Sequence, residues 1–135
     1  MTYLVDSDWV ADYLKGRPGA VTLLDRLFPD GIAISIVTFA EVCEGIYYGR
    51  DPKRNEQIFR RFLEGVIVVG ISRPIARRFA LIRGNLRAKG QLIPQPDLFI
   101  AATALHHRFT LLTRNAKDFE RIHDLKLYQS ELPAG

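Results

Sequence analysis

The segment Ile32–Glu41, IAISIVTFAE, decides the fold because its period changes part-way along. Ile32–Ile36 is a short apolar run rich in β-branched residues, whereas from Thr38 to Tyr48 the pattern is helical and Gly49 stops it. A short strand that feeds straight into a helix is the repeating unit of a parallel α/β sheet. Outward from this segment the same alternation recurs. Strands are predicted at Tyr3–Asp6, Val66–Ile71 and Thr110–Thr113, with a weaker one at Lys126–Tyr128. Helices are predicted over Ser7–Lys15, Gly19–Phe28, Pro52–Glu64, Ser72–Lys89 and Pro96–Arg108, punctuated by Gly16, Pro29, Gly31, Asp51 and Ser72. The expectation is one α/β domain over residues 1–135, with a central, mainly parallel, twisted sheet of four or five short strands flanked by helices.

Composition fits that expectation and narrows the function. The chain has 135 residues, 47% hydrophobic and 25% charged, enough apolar content for one core and too much for disorder. No apolar run nears the roughly 18 residues of a membrane span, and the opening MTYLVDSDW has no early cation, unlike a secretory leader. A cytoplasmic protein is therefore expected. Cys43 is the only cysteine, which excludes an internal disulfide or a multi-cysteine zinc site. His106, His107 and His123 match neither a zinc spacing nor a nucleophile triad.

Ligands of parallel α/β sheets bind beyond the carboxyl ends of the strands, and there the sequence is acidic. Asp6 ends the first strand, Glu41 lies one turn into the helix after the second, Asp97 opens the helix that leads into TLLT, and Asp118 follows that strand. Each has an alternative reading as a helix or turn residue. Asp6 or Ser7 could cap the first helix, Thr38 and Glu41 read as a capping box, and Asp97 after Pro96 suits the helix dipole. Yet four separate caps have no reason to converge on one rim of a sheet. Carboxylates that do converge raise one another's pKa and need a cation. Oxygen ligands without His or Cys suit Mg²⁺ or Mn²⁺, and such ions serve phosphodiester hydrolysis.

The run YLVDSD, TFAEVCEG, LIPQPDLFIAATALHH and LLTRNAKDF resembles the PIN domain, in particular the VapC-type ribonuclease toxins of toxin–antitoxin pairs, over essentially the whole chain. That resemblance implies a PIN-like fold and a Mg²⁺- or Mn²⁺-dependent endoribonuclease. Its acidic quartet would be Asp6, Glu41, Asp97 and Asp118, serving as metal ligands and in catalysis, with Thr113 and Asn115 orienting the quartet or the attacking water. It further implies a cognate VapB-like antitoxin, received in a groove made by the helices from Thr38 to Glu64, and a homodimer. Glu44, one turn after Glu41, is a candidate supporting residue. Arg114 is out of character, a cation inside the acidic motif, and should point away from the metal or toward substrate phosphate. Two other readings stay open: a nuclease of this fold acting in RNA processing or on structured DNA, and a PIN module that only binds.

Arg73–Lys89 holds six basic residues and no acid. At 100° per residue, Arg73, Arg77, Arg83 and Arg87 share an arc of about 120° opposite Ile75, Phe79, Ile82 and Leu86. These arginines are candidate RNA contacts, since guanidinium groups suit phosphate. The net charge of +4 hides a separation: without the four predicted site acids, 19 cations face 11 acids.

Overall fold

Strands buried on both faces require helices on both sides. That is the arrangement in the computed structural model, which describes residues 1–129; residues 130–135 of the expected domain lie outside the description. The strands are β1 (Tyr3–Val5), β2 (Ile32–Ser35), β3 (Val66–Val69) and β4 (Thr110–Leu112). The helices are α1 (Ser7–Leu14), α2 (Pro18–Leu27), α3 (Ile36–Tyr47), α4 (Pro52–Leu63), α5 (Arg73–Ala88), α6 (Gln95–His107) and α7 (Ala116–Phe119). All pairings are parallel, in the order β3-β2-β1-β4.

Alternation along the strands divides the core into two. Tyr3, Val5, Ile32, Ile34 and Leu112 join Val10, Leu24, Val42, Phe59 and Phe62 on one face. Leu4, Ala33 and Leu111 join Leu86, Leu98, Ala101, Ala104 and Phe119 on the other. Helix α6 is apolar nearly all round, with Leu98, Ile100, Ala101, Ala102, Thr103 and Ala104 all buried, so it lies deep in its layer. Helix α5 covers it through Ile75 and Leu86, and Phe79 stacks on Phe99 with ring centroids 3.9 Å apart.

Several boundaries differ from the sequence expectation. Each of the four strands ends one or two residues early: Asp6 and Thr113 leave β1 and β4, Ile36 opens α3, and Gly70 and Ile71 leave β3. Asp6 caps α1 and Ser35 caps α3, its hydroxyl accepting from the Val37 N–H at 3.1 Å. The expected strand at Lys126–Tyr128 is reduced to a single bridge between Leu127 and Leu111. Strand β3 leaves one sheet edge open, with Ile67 59% exposed and Val68 also uncovered. Among the described residues no helix is long and apolar enough to cross a membrane.

Candidate active site

The sheet order reverses between β1 and β4: the chain steps from β1 to β2 to β3, then returns across the sheet to β4. The crevice at such a reversal, beyond the strand carboxyl ends, is where parallel sheets hold ligands. Asp6 leaves β1 and Thr113 leaves β4 on its two sides. The Asp6 N–H donates to the Leu112 carbonyl at 2.9 Å, so the residue is fixed to the sheet register before its side chain does anything.

From there a hydrogen-bond chain runs across the crevice. Asp6 Oδ1 accepts from the Ser7 N–H at 2.8 Å, and Oδ2 accepts from Thr113 Oγ1 at 2.8 Å. Thr113 Oγ1 in turn accepts from the Asn115 N–H at 3.0 Å. The Asn115 amide Nδ2 donates to Asp118 Oδ2 at 2.9 Å and to Asp97 Oδ2 at 3.3 Å. Only the NH₂ end of that amide can serve two carboxylates at once, which fixes its orientation. Three of the expected acids, with Thr113 and Asn115, are therefore one connected network.

Glu41 joins through charge rather than through that chain. Burial raises its pKa first, then the nearby charges of Asp6, Asp97 and Asp8, with a hydrogen bond from Ser7 opposing. Burial likewise leads the upward shift of Asp97, followed by Asp6, with Asn115 opposing and Asp118 and Asp8 adding to the rise. Asp6 is buried and also raised by desolvation, although its bonds from Thr113 and Ser7 favour the charged form. The capping-box reading of Glu41 is corrected: the cap of α3 is Ser35, and Thr38 is buried inside the helix. Glu41 has no capping duty and is free to face the crevice. Glu44 is exposed.

Asp8 is the residue the sequence reading missed. It is exposed in the first turn of α1, and its charge acts on Asp6, Glu41 and Asp97 alike. The Asp-x-Asp spacing of YLVDSD was the available signal. Arg114 does turn away from the acids: Nη1 donates to Asp12 Oδ2 at 2.7 Å and the guanidinium carbon lies 4.2 Å from the centre of the Trp9 ring.

This donor set suits a hard cation in its chemistry, being oxygen throughout with mutually repelling carboxylates; Arg114 faces elsewhere, while Arg121 Nη2 lies 3.6 Å from Asp118 Oδ1 at the edge of the set. Among the described residues no three Asp, Glu, His or Cys side chains are gathered tightly enough to hold an ion by themselves. Carboxylates spaced in this way would hold such an ion directly or through water. Along α1 and α3 the crevice continues into a groove of about 330 Å³ with Ala11, Leu14, Val42 and Ile46 in its walls and Asp8 and Glu41 at one end. Helix α4 adds Asn55 to this groove.

Comparison with known proteins agrees with this geometry. The profile of the PIN domain matches residues 3–125. Ribonuclease VapC1 of Methanocaldococcus jannaschii is 37% identical over 127 residues, covering 93% of this chain and 85% of that protein. Ribonuclease VapC2 of Rickettsia felis is 32% identical, covering 94% and 96%. Among solved structures, VapBC2 of Rickettsia felis bound to a promoter DNA fragment superposes with a TM-score of 0.87 at 28% identity, covering 95% and 98%. FitAcB of Neisseria gonorrhoeae gives 0.80 at 26%, covering 96% and 97%. With an acidic crevice at the reversal of a parallel sheet and a profile that spans nearly its whole length, the chain belongs to the PIN-domain family, among the VapC-type ribonucleases.

Proposed function

We propose that this protein is a cytoplasmic endoribonuclease toxin, dependent on Mg²⁺ or Mn²⁺, that hydrolyses RNA phosphodiester bonds and is neutralised by a VapB-like antitoxin. The observation that carries the reading is the chain of bonds joining Asp6, Asp97 and Asp118 through Thr113 and Asn115. A bound divalent ion would supply charge neutralisation at the scissile phosphate and lower the pKa of water. Asp6 and Asp97 are its firmest ligands in this proposal, with Glu41 and Asp118 completing the shell.

The residues themselves do the positioning. Asp6 Oδ1 is taken up by Ser7, whereas Oδ2 accepts one hydrogen bond, from Thr113, and keeps a second lone pair free. Asn115 holds Asp97 and Asp118 at a set separation. Of Glu41 and Asp118, the latter is already engaged by Asn115 and Arg121, so Glu41, outside that chain, is the carboxylate we assign to position the attacking water. The antitoxin's place is the α1–α3 groove, whose apolar walls suit a peptide and whose acidic end suits a cationic side chain. A peptide seated there would block Glu41.

Cleavage of total RNA by the purified protein tests the reading. Wild type should cut with Mg²⁺ or Mn²⁺ and stop in EDTA, while Asp6→Asn and Asp97→Asn should each lose at least about a hundredfold in rate yet keep their circular dichroism. Full activity in both variants would refute it. The RNA-processing alternative is separated by genetic context, since a small neighbouring frame for a DNA-binding antitoxin argues against it. A module that only binds would show no cleavage.

A further inference from the structure

Arg114 sits between Thr113 and Asn115, the two residues that tie the carboxylates together, yet its side chain leaves them. Its guanidinium lies over the indole of Trp9 and donates one bond to Asp12, which also accepts Arg17 Nε at 3.1 Å. One carboxylate thus serves two cations, whose side chains are 46% and 63% exposed. The group keeps a net positive charge on the rim of an acidic site. An exposed ion pair of this kind contributes little to stability. Trp9 itself packs on the core with Nε1 buried and no hydrogen-bond partner among the described residues, an unfavourable arrangement for that N–H. Stability alone does not account for the placing of Arg114.

Beside this pair a cleft of about 550 Å³ opens between α1, α2 and β4, walled by Trp9, Leu23, Arg26, Thr113 and Tyr128. Its volume is that of a small-molecule site. Arg26 Nη2 donates to Tyr128 Oη at 2.9 Å, which places a second guanidinium in the wall. Thr113 belongs to both places, lining the cleft with its side chain while its hydroxyl bonds Asp6. A strand whose phosphate lies at Asp6 therefore has its neighbouring nucleotide at the mouth of the cleft. Aromatic walls with guanidinium groups are what proteins use to hold unstacked bases and their phosphates.

We propose that Arg114, Trp9 and the adjoining cleft form a subsite for the single-stranded nucleotide next to the scissile phosphate, with Arg114 on its phosphate and the base in the cleft. This rests on the ribonuclease reading and specifies how the substrate is gripped. Trp9 is the chain's only tryptophan, so its fluorescence reports on this place alone.

The test titrates a mixed-sequence 12-nucleotide RNA into the full-length Asp97→Asn protein, following Trp9 emission and anisotropy at several salt concentrations, with cleavage kinetics measured in the otherwise wild-type chain. RNA should change Trp9 emission. Arg114→Ala should raise KM about fivefold or more with kcat within about twofold, and should flatten the salt slope by about 0.7, the share of one contact to a single strand. Arg114→Lys should restore the slope and part of the KM, which a folding defect would not do. Unchanged KM and slope in Arg114→Ala, or Trp9 emission indifferent to saturating RNA, overturns the proposal. So does loss of antitoxin binding with RNA binding intact, which would assign the face to the antitoxin. Failure of the ribonuclease reading looks different: wild type itself would not cleave.

Discussion

Asn115 carries more of the crevice than its neutral side chain suggests. Its amide is the only group in the network that touches both Asp97 and Asp118. Asn115→Ala leaves two carboxylates to repel each other unbridged, and activity should fall about 10- to 100-fold, with the Mg²⁺ concentration for half-maximal rate rising alongside. Titrating Mg²⁺ in a single-turnover assay checks this. The acids also make a prediction about pH. Glu41 and Asp97 have pKa values raised by burial and by neighbouring carboxylates. The folded state therefore binds their protons more tightly than the unfolded state. Stability must fall as pH rises from the ordinary carboxylate range, about 4, through the raised values, and the penalty persists above them. In EDTA, Glu41→Gln should therefore melt above wild type at pH 7 and level with it near the acid end of that window. Mg²⁺ should raise the wild-type melting temperature more than the variant's. A difference between the two proteins that is the same at every pH would contradict the coupling.

At the scale of elements, the junction between β2 and α3 is the most economical in the molecule. Ser35 is the last residue of the strand and the cap of the helix, fully buried in both duties. Ser35→Ala should cost about 1 kcal/mol. Thr38, three residues on, has its hydroxyl buried without a partner among the described residues, so Thr38→Val should gain about 1 kcal/mol. Urea unfolding reads both as shifts of midpoint at unchanged slope. These two residues also show what the sequence could and could not disclose. Both are hydroxyl residues near the turn from strand to helix, and Thr38 with Glu41 makes the better capping pattern. Only the burial of Ile34 and Val42 on one side of the sheet decides for Ser35. The strands were legible because each is a short run of mostly apolar residues between turn signals, and three of the four are buried on both faces. Asp6, Glu41 and Asp118 were legible because they follow strands, and Asp97 because it opens a helix just behind Pro96. Asp8 was not, since an exposed Asp in a first turn looks like a partner of the helix dipole, and α7 was not, being only four residues long.

Across the whole molecule, charge is sorted by place. The crevice gathers carboxylates, while α5, packed against the helix that carries Asp97, turns Arg73, Arg77 and Arg87 to solvent; Arg83 is half-buried. Over its 16 residues α5 spans about 24 Å, room for several phosphates of a bound strand. Reversing the charge at Arg77 and Arg83 together should weaken RNA binding at low salt and reduce the salt slope by about 1.4, the share of two contacts to a single strand, as read by filter binding. Binding that keeps its slope would leave the helix a solvated face. The junctions at the sheet's carboxyl edge have one more consequence. Asp6 alone separates β1 from α1, nothing separates β2 from α3, and Thr113 and Asn115 leave β4 within three residues. Position in this crevice is therefore counted in residues, with no slack to absorb an error. One residue inserted between Ser35 and Glu41 would swing the glutamate by about 100° around its helix, whereas the open turn after Tyr48 could lengthen freely. For this protein, chain length at three short junctions is as strict a requirement as the identity of any acid they carry.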